Sequence, residues 1–134
     1  MKVTGGCHCG ALKFSAEVDP ARVGICHCTD CQIMSGTAFR TVVQAAAEDF
    51  ELLEGTPKFY DKTGDSGNRR TLAFCDTCGS QIYATNAEPP QDVYGLRVGT
   101  IDQRDQLVPR VQVWCQSKLG WLGELEALPA LDRQ

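Results

Sequence analysis

Cys26-His27-Cys28-Thr29-Asp30-Cys31 sets three thiols at C-x-C-x-x-C spacing. Two further clusters flank it at a distance: Cys7-His8-Cys9 and Cys75-Asp76-Thr77-Cys78, the second followed at once by Gly79. Thiols one or two residues apart can be turned inward around one small cation by a tight knuckle, and a glycine supplies the backbone freedom the knuckle needs. Seven of the eight cysteines fall in these clusters, and Cys115 stands alone. The spacing points to zinc rather than to disulfides. It divides the seven ligands as four plus three. Cys7, Cys9, Cys75 and Cys78 make a closed tetrahedral site that staples the N-terminal segment to a distant hairpin. Cys26, Cys28 and Cys31 make a second site with an open fourth position, the arrangement of reactive zinc.

Other readings stay open on the residues alone. Cys26 or Cys28 can join Cys75 and Cys78 in a four-ligand site, at the cost of stranding more thiols. His8, His27 or Cys115 can close the second tetrahedron and leave both sites structural. His8 and His27 are each the middle residue of a C-x-C, where neighbouring side chains point apart, so both are expected to face outward. Cys115 ends the strand-like run Val111-Gln112-Val113-Trp114-Cys115 and is expected as a buried, inert thiol.

Around these knuckles the chain reads as mainly β. Strands are expected at Leu12–Val18, Phe39–Gln44, Phe50–Leu53, Lys58–Tyr60, Arg70–Phe74, Gln81–Thr85, Val93–Val98 and Val111–Cys115. In the first, Leu12, Phe14, Ala16 and Val18 share a face by period-two alternation. Polar Asp61–Asn68 and Pro-Pro-bearing Asn86–Asp92 read as loops. Helical pieces are short: a turn after Cys28, Ala45–Asp49 and Gly123–Leu128. The 134 residues, 43% hydrophobic and 22% charged, suit one globular domain over 1–134, with residues 122–134 as a C-terminal tail.

The formal net charge is −4 and the pI about 5.1. Two loaded thiolate sites would add about three negative charges. That balance argues against nucleic-acid or anionic-membrane partners. No run of 18 apolar residues suggests a membrane span. The chain reaches Cys7 with no apolar leader-like stretch, so the expected compartment is the reducing cytoplasm, where clustered cysteines serve metals or catalysis. An anionic substrate would need local cations, for which Arg40, Lys58, Arg69 and Arg70 are the candidates beside ordinary surface roles. The oligomeric state is not legible.

Gly5-Gly6-Cys7-His8-Cys9-Gly10-Ala11-Leu12-Lys13-Phe14, then Cys26–Cys31 with Ser35-Gly36, then Phe74–Ser80, Val98–Asp102, Ser117-Lys118 and Trp121 occur in order. Together they resemble the glutathione-dependent formaldehyde-activating family, which includes centromere protein V-like proteins, over about Gly5 to Trp121. The resemblance implies a zinc-stapled β-tent with two zinc ions per chain. Cys7, Cys9, Cys75 and Cys78 would be the structural ligands, and Cys26, Cys28 and Cys31 the site proposed to be catalytic. It also implies a carbon–sulfur lyase that joins a small-molecule thiol, glutathione, to the aldehyde formaldehyde. Many members carry His before the aromatic in the C-terminal strand, where this chain has Gln112-Val113-Trp114. Two other classes compete: a non-catalytic zinc protein that binds or carries a thiol, and a reductase resembling B-type methionine sulfoxide reductases. The latter take zinc from two C-x-x-C motifs, and this chain has one besides its C-x-C-x-x-C.

Overall fold

The computed structural model describes residues 1–133 and is mainly β. Among the described residues, ten strands form two sheets. The smaller sheet holds β1 (Lys2–Gly6), β2 (Lys13–Glu17) and β5 (Phe50–Glu54), in the order β1-β2-β5. The larger adds β3 (Val23–Cys26), β4 (Arg40–Ala46), β6 (Lys58–Thr63), β7 (Arg69–Phe74), β8 (Gln81–Asn86), β9 (Val93–Arg97) and β10 (Val111–Val113). Its order is β10-β3-β4-β9-β8-β7-β6. All pairings are antiparallel except β10 with β3, which is parallel and sets Val113 opposite Cys26.

Alternation sorts the residues of β4 into two jobs. Val43 and Ala45 are buried in the core, whereas Arg40, Val42 and Gln44 line a cavity on the other face. The core lies where the two sheets meet, with Val3, Phe14 and Ala16 from the small sheet and Val43 and Leu96 from the large one. Phe14, Phe50, Tyr83 and Tyr94 meet there as an aromatic cluster, with Phe50 stacked on Tyr94 at 4.6 Å between ring centroids. Burying each large apolar side chain contributes about 1.5–3 kcal/mol, so this meeting of faces holds the sheets together.

Several elements differ from the sequence expectation. Strands β1 and β3 were not anticipated, because Gly5, Gly6 and Gly24 dilute their apolar signal. Gly5 is there for a close approach: a Cβ would sit 2.3 Å from the Thr100 carbonyl oxygen and 2.6 Å from the Phe14 ring. β6 continues through Asp61–Thr63 into the expected loop, and β4 continues to Ala46, leaving only Ala47–Asp49 as a 3₁₀ turn. The turn after Cys28 is the α-helix α1 (Thr29–Ser35), and Gly120–Ala127 is 3₁₀. β10 stops at Val113, because Trp114 turns the chain with a positive φ of 58°. No helix among the described residues is long and apolar enough to cross a membrane.

Candidate metal centres

The first thiol group is built from two knuckles. After β1, Cys7 accepts at its carbonyl from the Gly10 N–H at 3.0 Å, and its own N–H donates to the Leu12 carbonyl at 3.1 Å. Gly10 sits at φ +82°, a conformation that favours glycine. The β7–β8 connection repeats the device. The Cys75 N–H donates to the Ser80 carbonyl at 2.9 Å, the Gly79 N–H donates to the Cys75 carbonyl at 2.8 Å, and Gly79 has φ +75°. The His8 N–H donates to Ser80 Oγ at 3.1 Å and ties one knuckle to the other.

These turns bring the Sγ atoms of Cys7, Cys9, Cys75 and Cys78 within 4.8 Å of one another. Cys7 and Cys9 are 3.5 Å apart, and Cys9 and Cys75 3.7 Å. A tetrahedral zinc with Zn–S of 2.3 Å requires sulfurs about 3.8 Å apart, so the donor set fits the ion in element and in spacing. The Leu12 N–H points at Cys7 Sγ from 3.2 Å, the kind of support a thiolate takes. All eight cysteines are free thiols, which removes the disulfide reading for this structure.

The second group stands at the start of α1. Cys26 ends β3, Cys28 is the N-cap, and Cys31 lies in the first turn. Cys28 Sγ accepts the Cys31 N–H at 3.3 Å, a sulfur version of the usual side-chain cap. The three sulfurs lie within 4.8 Å of one another, and no His, Asp, Glu or further Cys joins them among the described residues. Burial pushes the Cys31 thiol up to about 12, against the pull of nearby Arg40, and raises Cys26 as well. A metal taken up there therefore has protons to displace, and its affinity falls as pH falls.

The histidines part company. His8 is exposed, as its place in the knuckle suggested. His27 is not outward: it is 1% exposed, its Nε2 is 2.9 Å from Gln112 Oε1, and its ring meets Phe39 edge-on. The parallel β10–β3 pairing brings Gln112 there, and Gln32 adds bonds to the His27 and Ser117 carbonyls. Cys115 is likewise corrected. It is exposed: β10 is an exposed edge strand that ends two residues earlier, and Cys115 opens the 3₁₀ turn Cys115–Ser117.

Cys26, Cys28 and Cys31 line a cavity of about 490 Å³ together with Arg40, Arg70, Arg97, Lys62 and Trp114. Of the cations singled out in the sequence, Arg40 and Arg70 reach this cavity. Lys58 is exposed outside it, and Arg69 pairs with Glu88 at 3.2 Å on the surface. Lys62 pairs with Asp30. Arg97 was missed, although a lone charge ending the run Val93-Tyr94-Gly95-Leu96 could have flagged it. Burial and neighbouring Arg40 hold its guanidinium down to about 9, still charged at neutral pH. Met34, Arg40 and Arg97 also border a second, more apolar cavity of about 650 Å³ that Trp121, Leu122 and Leu125 help to line.

A β fold that brings together two thiol groups able to hold a metal ion is consistent with a small zinc-binding β domain. The family model for the glutathione-dependent formaldehyde-activating enzyme matches residues 2–117, and the chain belongs to that family. The crystal structure of a Rhodobacter sphaeroides protein is similar in fold, with a TM-score of 0.62 at 22% identity. The match covers 82% of this chain and 99% of that one.

Proposed function

We propose that this protein is a zinc-dependent carbon–sulfur lyase-type enzyme that activates a thiol for addition to, or release from, a small aldehyde. Glutathione and formaldehyde are the reactants the family suggests. Cys7, Cys9, Cys75 and Cys78 are the structural ligands in this reading, and Cys26, Cys28 and Cys31 hold the second ion. The observation that carries it is the contrast between the two groups. Four sulfurs converge in a wall of knuckles, and three converge on a cavity with no fourth protein ligand beside them among the described residues.

Zinc bound by three thiolates would supply Lewis acidity that favours the ionised form of an incoming thiol. The gain from ionisation is bounded. A thiol of pKa about 8.5 is a few per cent ionised at pH 7, so full ionisation gives at most about 30-fold, or roughly 2 kcal/mol. A sulfur of lowered pKa is also a weaker nucleophile, which takes back part of that. Positioning must contribute the rest, and it falls to the residues of the cavity. Trp114 borders it from the turn after β10, while Arg40, Arg70 and Arg97 offer fixed donors along the sheet face.

The test is the rate of hemithioacetal formation from glutathione and formaldehyde. Zinc-loaded protein should accelerate it over buffer, and Cys26→Ala should return it to the buffer rate. Equal rates with and without wild-type protein, while thiol still binds, would make the protein a thiol carrier instead.

A further inference from the structure

The second cavity, of about 650 Å³, shares the side chains of Met34, Arg40 and Arg97 with the thiol cavity. Cys31 and Met34 lie one turn apart on α1, a spacing that sets Cβ atoms about 5–6 Å from each other. The path from the three sulfurs into the second cavity is therefore short. Arg40 marks the boundary: its guanidinium donates to Gln81 Oε1 at 2.8 Å, and Gln81 in turn donates to the Met34 carbonyl at 2.7 Å.

The two cavities differ in chemistry. The thiol cavity adds Lys62 and Arg70 to the shared arginines. The second is walled by Met34, Ala38, Phe39, Trp121, Leu122 and Leu125. None of these belongs to the core where the sheets meet. Its polar neighbours spend their hydroxyls on the backbone: Ser35 Oγ donates to the Cys31 carbonyl and Thr37 Oγ1 to the Phe39 carbonyl, both at 2.6 Å. Trp121 and Leu125 stay about half exposed, and covering them with an apolar group gains free energy in proportion to the area removed from water. The wall also reaches past the family match, which ends at residue 117, before Trp121, Leu122 and Leu125.

No backbone constraint accounts for the open space. Gly99 borders it, its φ lies outside the left-handed region, and a Cβ there would meet no atom within 4 Å. Packing would accept a side chain at this position, and the lack of one keeps the cavity open. Formaldehyde has no substituent to fill it, whereas cavities of about 300–1,000 Å³ take whole small-molecule ligands. An anionic thiol such as glutathione is matched by the cationic cavity, not by this one. The aldehyde is the reactant that remains.

We infer that the cavity bordered by Met34, Gly99 and Trp121 is a specificity pocket for an alkyl or aryl group on the aldehyde, so that the substrate class is an apolar aldehyde larger than formaldehyde. This rests on the proposed reaction for the identity of the reactant, and on the cavity's lining for the apolar group. The bond made is unchanged. The thiolate sulfur joins the carbonyl carbon, the C=O π pair moves to oxygen, and that oxygen takes up the proton the thiol released.

Two readouts on zinc-loaded protein test it. With glutathione as the thiol, kcat/KM should be at least about tenfold higher for hexanal than for acetaldehyde, since each methylene is worth about fourfold when fully buried. Gly99→Leu fills the cavity and should bring that ratio to within about twofold. Leu125→Asp, at an exposed position, gives the same reading should Gly99→Leu fold poorly. The second readout needs no reaction. Trp114 and Trp121 are the only tryptophans, so the emission of Trp114→Phe reports on Trp121. Hexanamide, which forms no hemithioacetal, should shift that emission at concentrations where acetamide does not. Equal kcat/KM for hexanal and acetaldehyde, or a preference that survives both substitutions, overturns the inference and leaves thiol activation standing. A hexanamide response lost in Gly99→Leu, with no aldehyde accelerated, sinks the reaction and keeps the apolar pocket. Emission that ignores hexanamide and follows protein concentration makes this face a contact between copies and overturns the inference.

Discussion

Cys9→Ala lowers the thermal midpoint by at least about 10 °C, with loss of one zinc per chain. Cys9 is the most telling of the first four cysteines because its side chain is exposed. Cys7 and Cys75 are buried in the core, so removing either would also cost packing. An exposed cysteine with no structural role could be replaced for a degree or two at most. If its sulfur instead completes a closed tetrahedron, deleting it opens the metal clasp that, beside the His8 N–H to Ser80 Oγ bond, joins the end of β1 to the β7–β8 turn. The binding free energy of a structural zinc is folding free energy, so the whole molecule registers the loss. Treating wild-type protein with a strong chelator should reproduce the shift. A change of only a degree or two, with zinc content intact, would mean the four sulfurs hold no structural ion.

Cys28→Ser removes the second zinc and the catalytic acceleration together, while the thermal midpoint falls by only a few degrees. Serine is the appropriate replacement because Cys28 also caps α1 through the Cys31 N–H. Its hydroxyl can take over that bond, whereas alanine would lose about 1 kcal/mol of capping along with the ligand. A neutral hydroxyl is a poor substitute for a thiolate at a borderline-soft cation, so the metal goes. Zinc analysis should then find about one ion per chain rather than two. Retention of both ions would show that the three-cysteine group is not the second site. A fall in midpoint as large as that of Cys9→Ala would make this site structural too.

The thiol groups were legible because their information is local. A C-x-C or C-x-x-C announces a knuckle within four residues, and Gly79 marks one of the turns. The mainly β character was legible wherever apolar residues alternate, as in β2. What the sequence hid is what long-range register creates. His27 faces inward because β10 runs parallel to β3 and delivers Gln112 to it. The guanidinium cluster exists because Arg40 and Arg97 reach one sheet face from strands more than 50 residues apart in the chain. No window of sequence contains both. Cys115 lies outside the strand expected for it because Trp114, with a left-handed backbone, ends β10 at Val113, and β10 itself is an exposed edge strand that buries none of its residues.

Sulfur coordination at the zinc edge, measured by X-ray absorption before and after adding a thiol substrate, bears most directly on the three-sulfur site. One closed ion and one open ion predict an average of about 3.5 sulfur ligands per zinc in the resting protein, rising to about 4 when the thiol binds. An average of 4 at the outset, or a resting value that thiol leaves unchanged, would contradict an open coordination position that takes substrate.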